Sequence, residues 1–118
     1  MRRIVTALSI ATLLSSSAFA AAICKAQTPE LLKKATVTCE GARKTAMEKV
    51  PDGKIVEAEL EDEHGRLVYS FDMKRKGQTG VEEVQVDAKS GEVVSVEHEG
   101  PKAEQQEKQQ EKAKSGGR

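Results

Sequence analysis

The residues of this chain best suited to covalent chemistry are its two cysteines, Cys24 and Cys39. A bond between them would close a loop of about 15 residues, which the chain-entropy model credits with roughly 3 kcal/mol of stability. An oxidising compartment outside the cytoplasm would favour that bond. In the alternative interpretation, Cys39 is a small buried helix residue and Cys24 is a free thiol near a chain end. The pair is therefore a candidate disulfide.

Thiol catalysis requires a base beside the cysteine, and the two histidines are poorly placed to be that base. His64 falls in a predicted hairpin turn and His98 follows the last predicted strand, whereas Cys39 begins a predicted helix. Serine-nucleophile motifs, phosphate-binding glycine loops and CxxC pairs are absent from the sequence. We expect no enzyme, no catalytic residue and no cofactor.

Acidic side chains around one predicted turn are the strongest candidates for metal ligands. Calcium prefers such oxygens, but it usually needs a loop that places them at fixed spacing, and no EF-hand loop is present. We therefore expect a solvated acidic strand face and assign no metal ligand. The residues concerned are Glu59, Glu61, Asp62, Glu63 and His64.

The segment VEEVQVDAKSGEVVSVE, residues 81–97, carries the clearest turn signal. Apolar and polar residues alternate on both sides of a short connection, which predicts a hairpin. Asp87 can accept hydrogen bonds from the backbone of the turn, and Gly91 can adopt the positive φ that ends it. Both residues are therefore predicted to be structural.

The first 20 residues are typical of a secretory signal peptide. Arg2 and Arg3 precede an apolar stretch from Ile4 to Leu14, and a small-residue site predicts cleavage between Ala20 and Ala21. The stretch is shorter than the roughly 20 residues that span a bilayer. We expect a periplasmic or secreted protein with no membrane span in the mature chain.

The charge balance bears on the kind of partner. The whole chain has 19 basic and 19 acidic residues, and loss of Arg2 and Arg3 with the signal peptide makes the mature chain weakly acidic. Nucleic acids and anionic lipids require a clustered basic face. We therefore expect no nucleic-acid partner. We also expect a protein partner and a monomeric chain.

Residues 100–118 contain two alanines as their only apolar side chains. Such a segment cannot bury enough surface to offset the entropy lost on ordering. We predict a disordered tail.

The remaining residues predict an α+β fold in which one main helix packs on an antiparallel sheet of three to four strands. Residues 21–36 contain a short helix from about Thr28, with Pro29 at its first position. The main helix follows the N-cap residue Thr38 and ends at Pro51. Alternation predicts strands with one apolar face, formed by Val56, Ala58, Leu60, Leu67, Tyr69, Phe71, Met73, Val84, Val86, Val94 and Val96.

This order of elements resembles the PepSY domain, a module of the propeptides of thermolysin-like metallopeptidases. The resemblance lies in TCEGARKTAMEKVPDGKIVEAEL, GRLVYSFDM and VQVDAKSGEVV, which match a capped helix, a strand containing Gly-x-x-x-Tyr and an Asp-x-x-x-Gly hairpin. Cys39 departs from the pattern, since an ordinary apolar residue is more usual there. We place the PepSY-like domain at residues 37–99.

The resemblance implies a binding module that modulates or inhibits a secreted or periplasmic peptidase, such as a metallopeptidase, through protein contact. The matching residues are structural, so no functional site is implied residue by residue. Two alternatives stay open, namely an envelope protein that binds a metal cation through its acidic face and a structural module without a peptidase partner.

Overall fold

The structure, a computed structural model, describes residues 24–116, which form five strands and three helices. In chain order these are β1 (Lys25–Ala26), α1 (Leu31–Lys34), α2 (Cys39–Lys49), β2 (Gly53–Glu63), β3 (Arg66–Arg75), β4 (Val81–Asp87), β5 (Val93–Glu99) and α3 (Pro101–Gly116).

The strands form one mixed sheet in the order β1-β2-β3-β4-β5. The pairs from β2 to β5 are antiparallel, as short connections require. The short strand β1 adds a parallel neighbour to β2, with Lys25 opposite Glu59 and Ala26 opposite Leu60. The predicted α+β class is correct, but the sheet has one or two strands more than the sequence indicated.

Helix α2 covers one face of the sheet, and the small side chains on its inner side allow it to pack closely. Ala42 and Ala46 are completely buried. Thr38 caps the helix through its Oγ1, which accepts a hydrogen bond from the Gly41 amide at 3.1 Å. The predicted main helix is therefore found at its predicted position. Helix α1 is shorter than expected and begins at Leu31, after Pro29 rather than on it.

The core lies between α2 and the sheet and includes Leu60, Phe71, Met73, Val84 and Val86, none of which is exposed. Tyr69 is also buried there. Its hydroxyl donates a hydrogen bond to the Val37 carbonyl oxygen at 2.7 Å, which fixes the segment before α2 to the sheet.

Two irregularities change which valines the core receives. The β2–β3 register shifts between Ile55 and Glu57, so Val56 becomes an extra residue and is 47% exposed. The β4–β5 register shifts between Gln85 and Val86, so Val93 lies opposite Val86 and packs against the core. Val96 is 46% exposed. Val96 lies opposite Val84 and so shares the apolar face, but on the outer strand of the sheet. The expectation that Val56 and Val94 belong to that face is wrong, because each is the extra residue at a register shift.

Helix α3 occupies Pro101–Gly116, where the sequence predicted a disordered tail. Proline suits the first position of a helix, and the glutamine, glutamate, lysine and alanine residues that follow favour helix. Among the described side chains of α3, only Glu107, Lys108 and Glu111 are partly buried. They meet the sheet face opposite α2, so the sheet lies between two helices.

Candidate functional site

The sheet face opposite α2 carries many carboxyl groups. Every second residue of a strand points to the same face, and acidic residues occupy many of these positions. We call this surface the acidic face. It consists of Glu57, Glu59, Glu61, Glu63, Asp72, Glu83, Glu97 and Glu99.

Four of these residues form a row across the sheet. Glu57 lies opposite Asp72, Asp72 lies opposite Glu83, and Glu83 lies opposite Glu97. Like charges directly opposite one another destabilise a sheet. Packing within the sheet gives no reason for such a row.

Helix α3 adds further carboxyl groups to this surface. Carboxyl oxygens of Glu57, Glu59 and Glu111 lie within 4.8 Å of one another. Carboxyl oxygens of Glu83, Glu99 and Glu107 form a second triplet, also within 4.8 Å of one another. The Lys108 ammonium lies 3.6 Å from Glu57 Oε2 and brings one positive charge to the first triplet.

Burial and mutual repulsion raise the pKa values of Glu83, Glu107 and Glu111. Glu83 is only 5% exposed, and desolvation together with the charges of Glu107, Glu99 and Asp72 raises its pKa to about 9. Desolvation likewise raises the pKa of Glu111 to about 9, with contributions from neighbouring Glu59. The pKa of Glu107 rises to about 7, mainly through desolvation and contact with Glu99.

Hydrogen bonds connect the strands beside these triplets. The Ser70 hydroxyl donates to Glu61 Oε1 at 2.5 Å and accepts from Gln85 Nε2 at 3.4 Å. The Ser95 hydroxyl donates to Gln85 Oε1 at 3.3 Å. Glu99 Oε2 is buried with no hydrogen-bond partner. The acidic face is thus partly ordered by neutral side chains, while its carboxyl groups lack enough donors.

The sequence pointed to this surface only in part. Glu59 and Glu61 do lie on it, but Asp62 instead accepts a hydrogen bond from the Gly65 amide at 2.8 Å in the β2–β3 turn. The side chain of His64 is 93% exposed. The expectation of a solvated face is wrong, since Glu61 is 4% exposed.

The remaining carboxyl groups were missed by sequence reasoning. Asp72 and Glu83 stand at the polar positions of well-alternating strands, so the alternation itself could have placed them beside Glu57. Glu107 and Glu111 belong to the segment that was predicted to be disordered.

The two cysteines form a disulfide, with Cα atoms 5.7 Å apart, that joins the segment before β1 to the start of α2. No free cysteine is present in residues 24–116. His98 lies elsewhere, and its Nδ1 is 3.0 Å from Glu82 Oε1. The structure thus brings no base to a reactive thiol in the part of the chain it describes.

Asp87 and Gly91 take part in the β4–β5 turn. Asp87 Oδ1 accepts hydrogen bonds from the amides of Lys89 at 2.8 Å and Ser90 at 2.9 Å, and these bonds lower the pKa of the Asp87 carboxyl. The Gly91 amide donates to the Asp87 carbonyl oxygen, and Gly91 has a φ of 78°.

The predicted cleavage site at Ala20 and Ala21 lies outside the described residues. Within residues 24–116, no helix is long and apolar enough to cross a membrane.

The fold and its surfaces define a small α+β module in which carboxyl groups cluster on one face of the sheet. The family model described as "Peptidase propeptide and YPEB domain", PepSY, matches residues 37–97, just over half of the chain. The chain belongs to the PepSY family, which confirms the resemblance inferred from its motifs. The match includes α2 and the strands from β2 into β5 and leaves out β1, α1 and α3. No curated protein and no solved structure matches the chain.

Proposed function

We propose that this chain is an exported PepSY module that binds a secreted or periplasmic peptidase and modulates it by protein contact. The observation that carries the proposal is the match of residues 37–97 to a domain named for peptidase propeptides. The signal-like first 20 residues support export.

The free edge of β5 is the surface we assign to the partner. In the described part of the chain, β5 is the last strand of the sheet and has no neighbour beyond it. An extended segment of a partner can pair with such an edge through main-chain hydrogen bonds. Val96, 46% exposed, offers an apolar contact to that segment.

The opposite edge is less suited to this role. Strand β1 already pairs with β2 at Glu59 and Leu60, and the bulge at Val56 interrupts regular pairing further along β2. The edge of β5 continues for seven residues, from Val93 to Glu99.

The test measures inhibition of a metallopeptidase from the same secretome by the chain processed after Ala20. Lysine on an edge strand discourages further pairing. We expect Val96→Lys to weaken inhibition about tenfold or more, which corresponds to about 1.4 kcal/mol. Val56→Lys on β2 and Leu32→Lys on α1 are matched controls, since these valine and leucine side chains are also exposed.

Loss of inhibition with Val56→Lys or Leu32→Lys but not with Val96→Lys would move the contact away from β5. Absence of any effect on every peptidase of the secretome would contradict the proposed function. A melting temperature that rises with added calcium or zinc would then favour the cation-binding alternative, because a ligand that binds only the folded state stabilises it.

A further inference from the structure

Helix α3 is attached to the sheet by an unusual interface. Its two apolar residues, Ala103 and Ala113, are both exposed, so no hydrophobic side chain anchors it. The ion pair between Lys108 and Glu57 is 3.6 Å long and partly exposed, and such pairs contribute little. The partly buried side chains of α3 are those of Glu107, Lys108 and Glu111, and the two glutamates bring carboxyl groups into the interface.

Those contacts join carboxyl groups to carboxyl groups. Glu107 approaches Glu83 and Glu99, and Glu111 approaches Glu57 and Glu59, with oxygens within 4.8 Å in each triplet. Two carboxylates at this distance repel, whereas a protonated carboxyl can donate a hydrogen bond to its neighbour. The geometry is favourable only when some of these groups hold a proton.

We propose that α3 is a protonation-controlled cover, which docks on the acidic face when carboxyl groups in the interface are protonated and detaches when they ionise. Detachment would expose the carboxylate row of Glu57, Asp72, Glu83 and Glu97 to solvent or to a partner. Helix α3 lies outside the residues 37–97 that match the PepSY family, and the proposed detachment does not depend on peptidase binding.

Charged groups from every neighbouring element face the two glutamates of α3, and acids outnumber bases among them. Three lysines, Lys25, Lys108 and Lys112, line the space beside Glu111. The acidic neighbours are Glu57, Glu59, Glu61 and Glu63 of β2, Asp72 of β3, Glu83 of β4 and Glu99 of β5.

The direction of the pH effect follows from the raised pKa values. The ordinary glutamate pKa is 4.5, while burial in the docked interface and neighbouring carboxyl groups raise the pKa of Glu107 to about 7 and those of Glu83 and Glu111 to about 9. The docked state therefore binds more protons than the detached state. Docking is strongest below pH 4.5 and weakens as the pH rises through about 7 towards 9. Each linked proton lowers the docking constant about tenfold per pH unit above the detached pKa and below the docked pKa.

The experiment follows α3 by NMR in the chain processed after Ala20, between pH 4.5 and 9. Nuclear Overhauser contacts between α3 and β4 report docking, and the side-chain carbon shifts of Glu107 and Glu111 report ionisation. We expect the contacts to be present at low pH and lost together with the carboxyl protons. In the double variant Glu107→Gln, Glu111→Gln, the midpoint of detachment should rise by at least about one pH unit, because neutral amides do not ionise.

Gln110→Glu is the matched control, since it adds a carboxyl group to an exposed position of the same helix. Its midpoint should equal that of the unmodified chain. Glu83→Gln tests the same interface from the sheet and should raise the midpoint as well. The proposal is overturned if α3 stays docked at pH 9, if it is detached at every pH, or if Gln110→Glu shifts the midpoint as much as the double variant does.

Discussion

Gly80 is the position where a single methyl group should damage the fold most selectively. It has a φ of 76°, and a Cβ atom there would overlap the Glu99 carbonyl oxygen and lie 3.0 Å from the Glu99 carbonyl carbon. Gly77 has nearly the same φ, 79°, but a Cβ atom there has no neighbour within 4 Å. The two glycines therefore separate backbone strain from steric overlap.

Alanine at either position adopts an unfavourable left-handed conformation, which costs about 1–2 kcal/mol. At Gly80 the overlapping atoms belong to backbone, so rotation of a side chain cannot relieve them. Val81 and Glu99 lie opposite each other, and the end of β5 must therefore move away from β4. Overpacking of this kind adds about 1–3 kcal/mol. The upper end of the total, about 5 kcal/mol, equals the lower end of the stability of a typical domain, about 5–15 kcal/mol.

Urea denaturation followed by far-ultraviolet circular dichroism measures both effects. We expect Gly77→Ala to lower the free energy of unfolding by about 1–2 kcal/mol and Gly80→Ala to lower it by about 2–5 kcal/mol. The dependence on urea concentration should be unchanged if both variants unfold from the same compact state. Equal losses for the two variants would refute the argument, because they would show that the β5 backbone moves aside without cost.

Three further predictions concern the disulfide, the hairpin turn and the acidic face. Reduction of the bond between Cys24 and Cys39, separated by 15 residues, should lower the unfolding free energy by about 3 kcal/mol; unchanged urea midpoints with and without reductant would contradict this. Gly91→Val should lower the unfolding free energy by at least about 1–2 kcal/mol, because valine is strained at the positive φ of this position. Asp87→Asn should have a mild effect, because asparagine also accepts the turn hydrogen bonds. Loss of partner activity in a folded Asp87→Asn protein would contradict the structural role of Asp87. The buried Glu83 carboxyl, with its raised pKa, contributes most favourably when it is protonated, so the melting temperature should fall as the pH rises through about 9; Glu83→Gln should flatten that fall, and an unchanged pH profile would show that other groups cause it.

The sequence allowed correct prediction of the elements whose signals are local. Thr38, the two buried alanines of α2 and the Pro51 stop lie within one continuous segment, and each acts on its own neighbours. The same holds for the alternation of β3 and for the turn between Asp87 and Gly91. These elements are determined by local backbone preferences and by the spacing of apolar side chains, both of which can be inferred without tertiary contacts.

The loss of Val56 and Val94 from the apolar face could not be predicted in this way. Each depends on a register shift between two strands, and a shift of one residue exchanges the buried and exposed faces beyond it. Alternation within a single strand gives no information about where its partner inserts an extra residue. The parallel pairing of β1 with β2 was missed for a related reason, since a strand of two residues has no measurable period.

The error at α3 has a different physical origin. The expectation that a segment with two alanines as its apolar residues does not pack on a sheet holds for α3 when its glutamates are ionised. It fails for the docked state because burial and crowding raise the pKa values of Glu83, Glu107 and Glu111 towards and above neutrality. A protonated carboxyl group is a neutral hydrogen-bond donor. A prediction from composition that treats every glutamate as ionised does not take this neutral form into account. Sequence and structure therefore agree if each describes a different protonation state of the same interface.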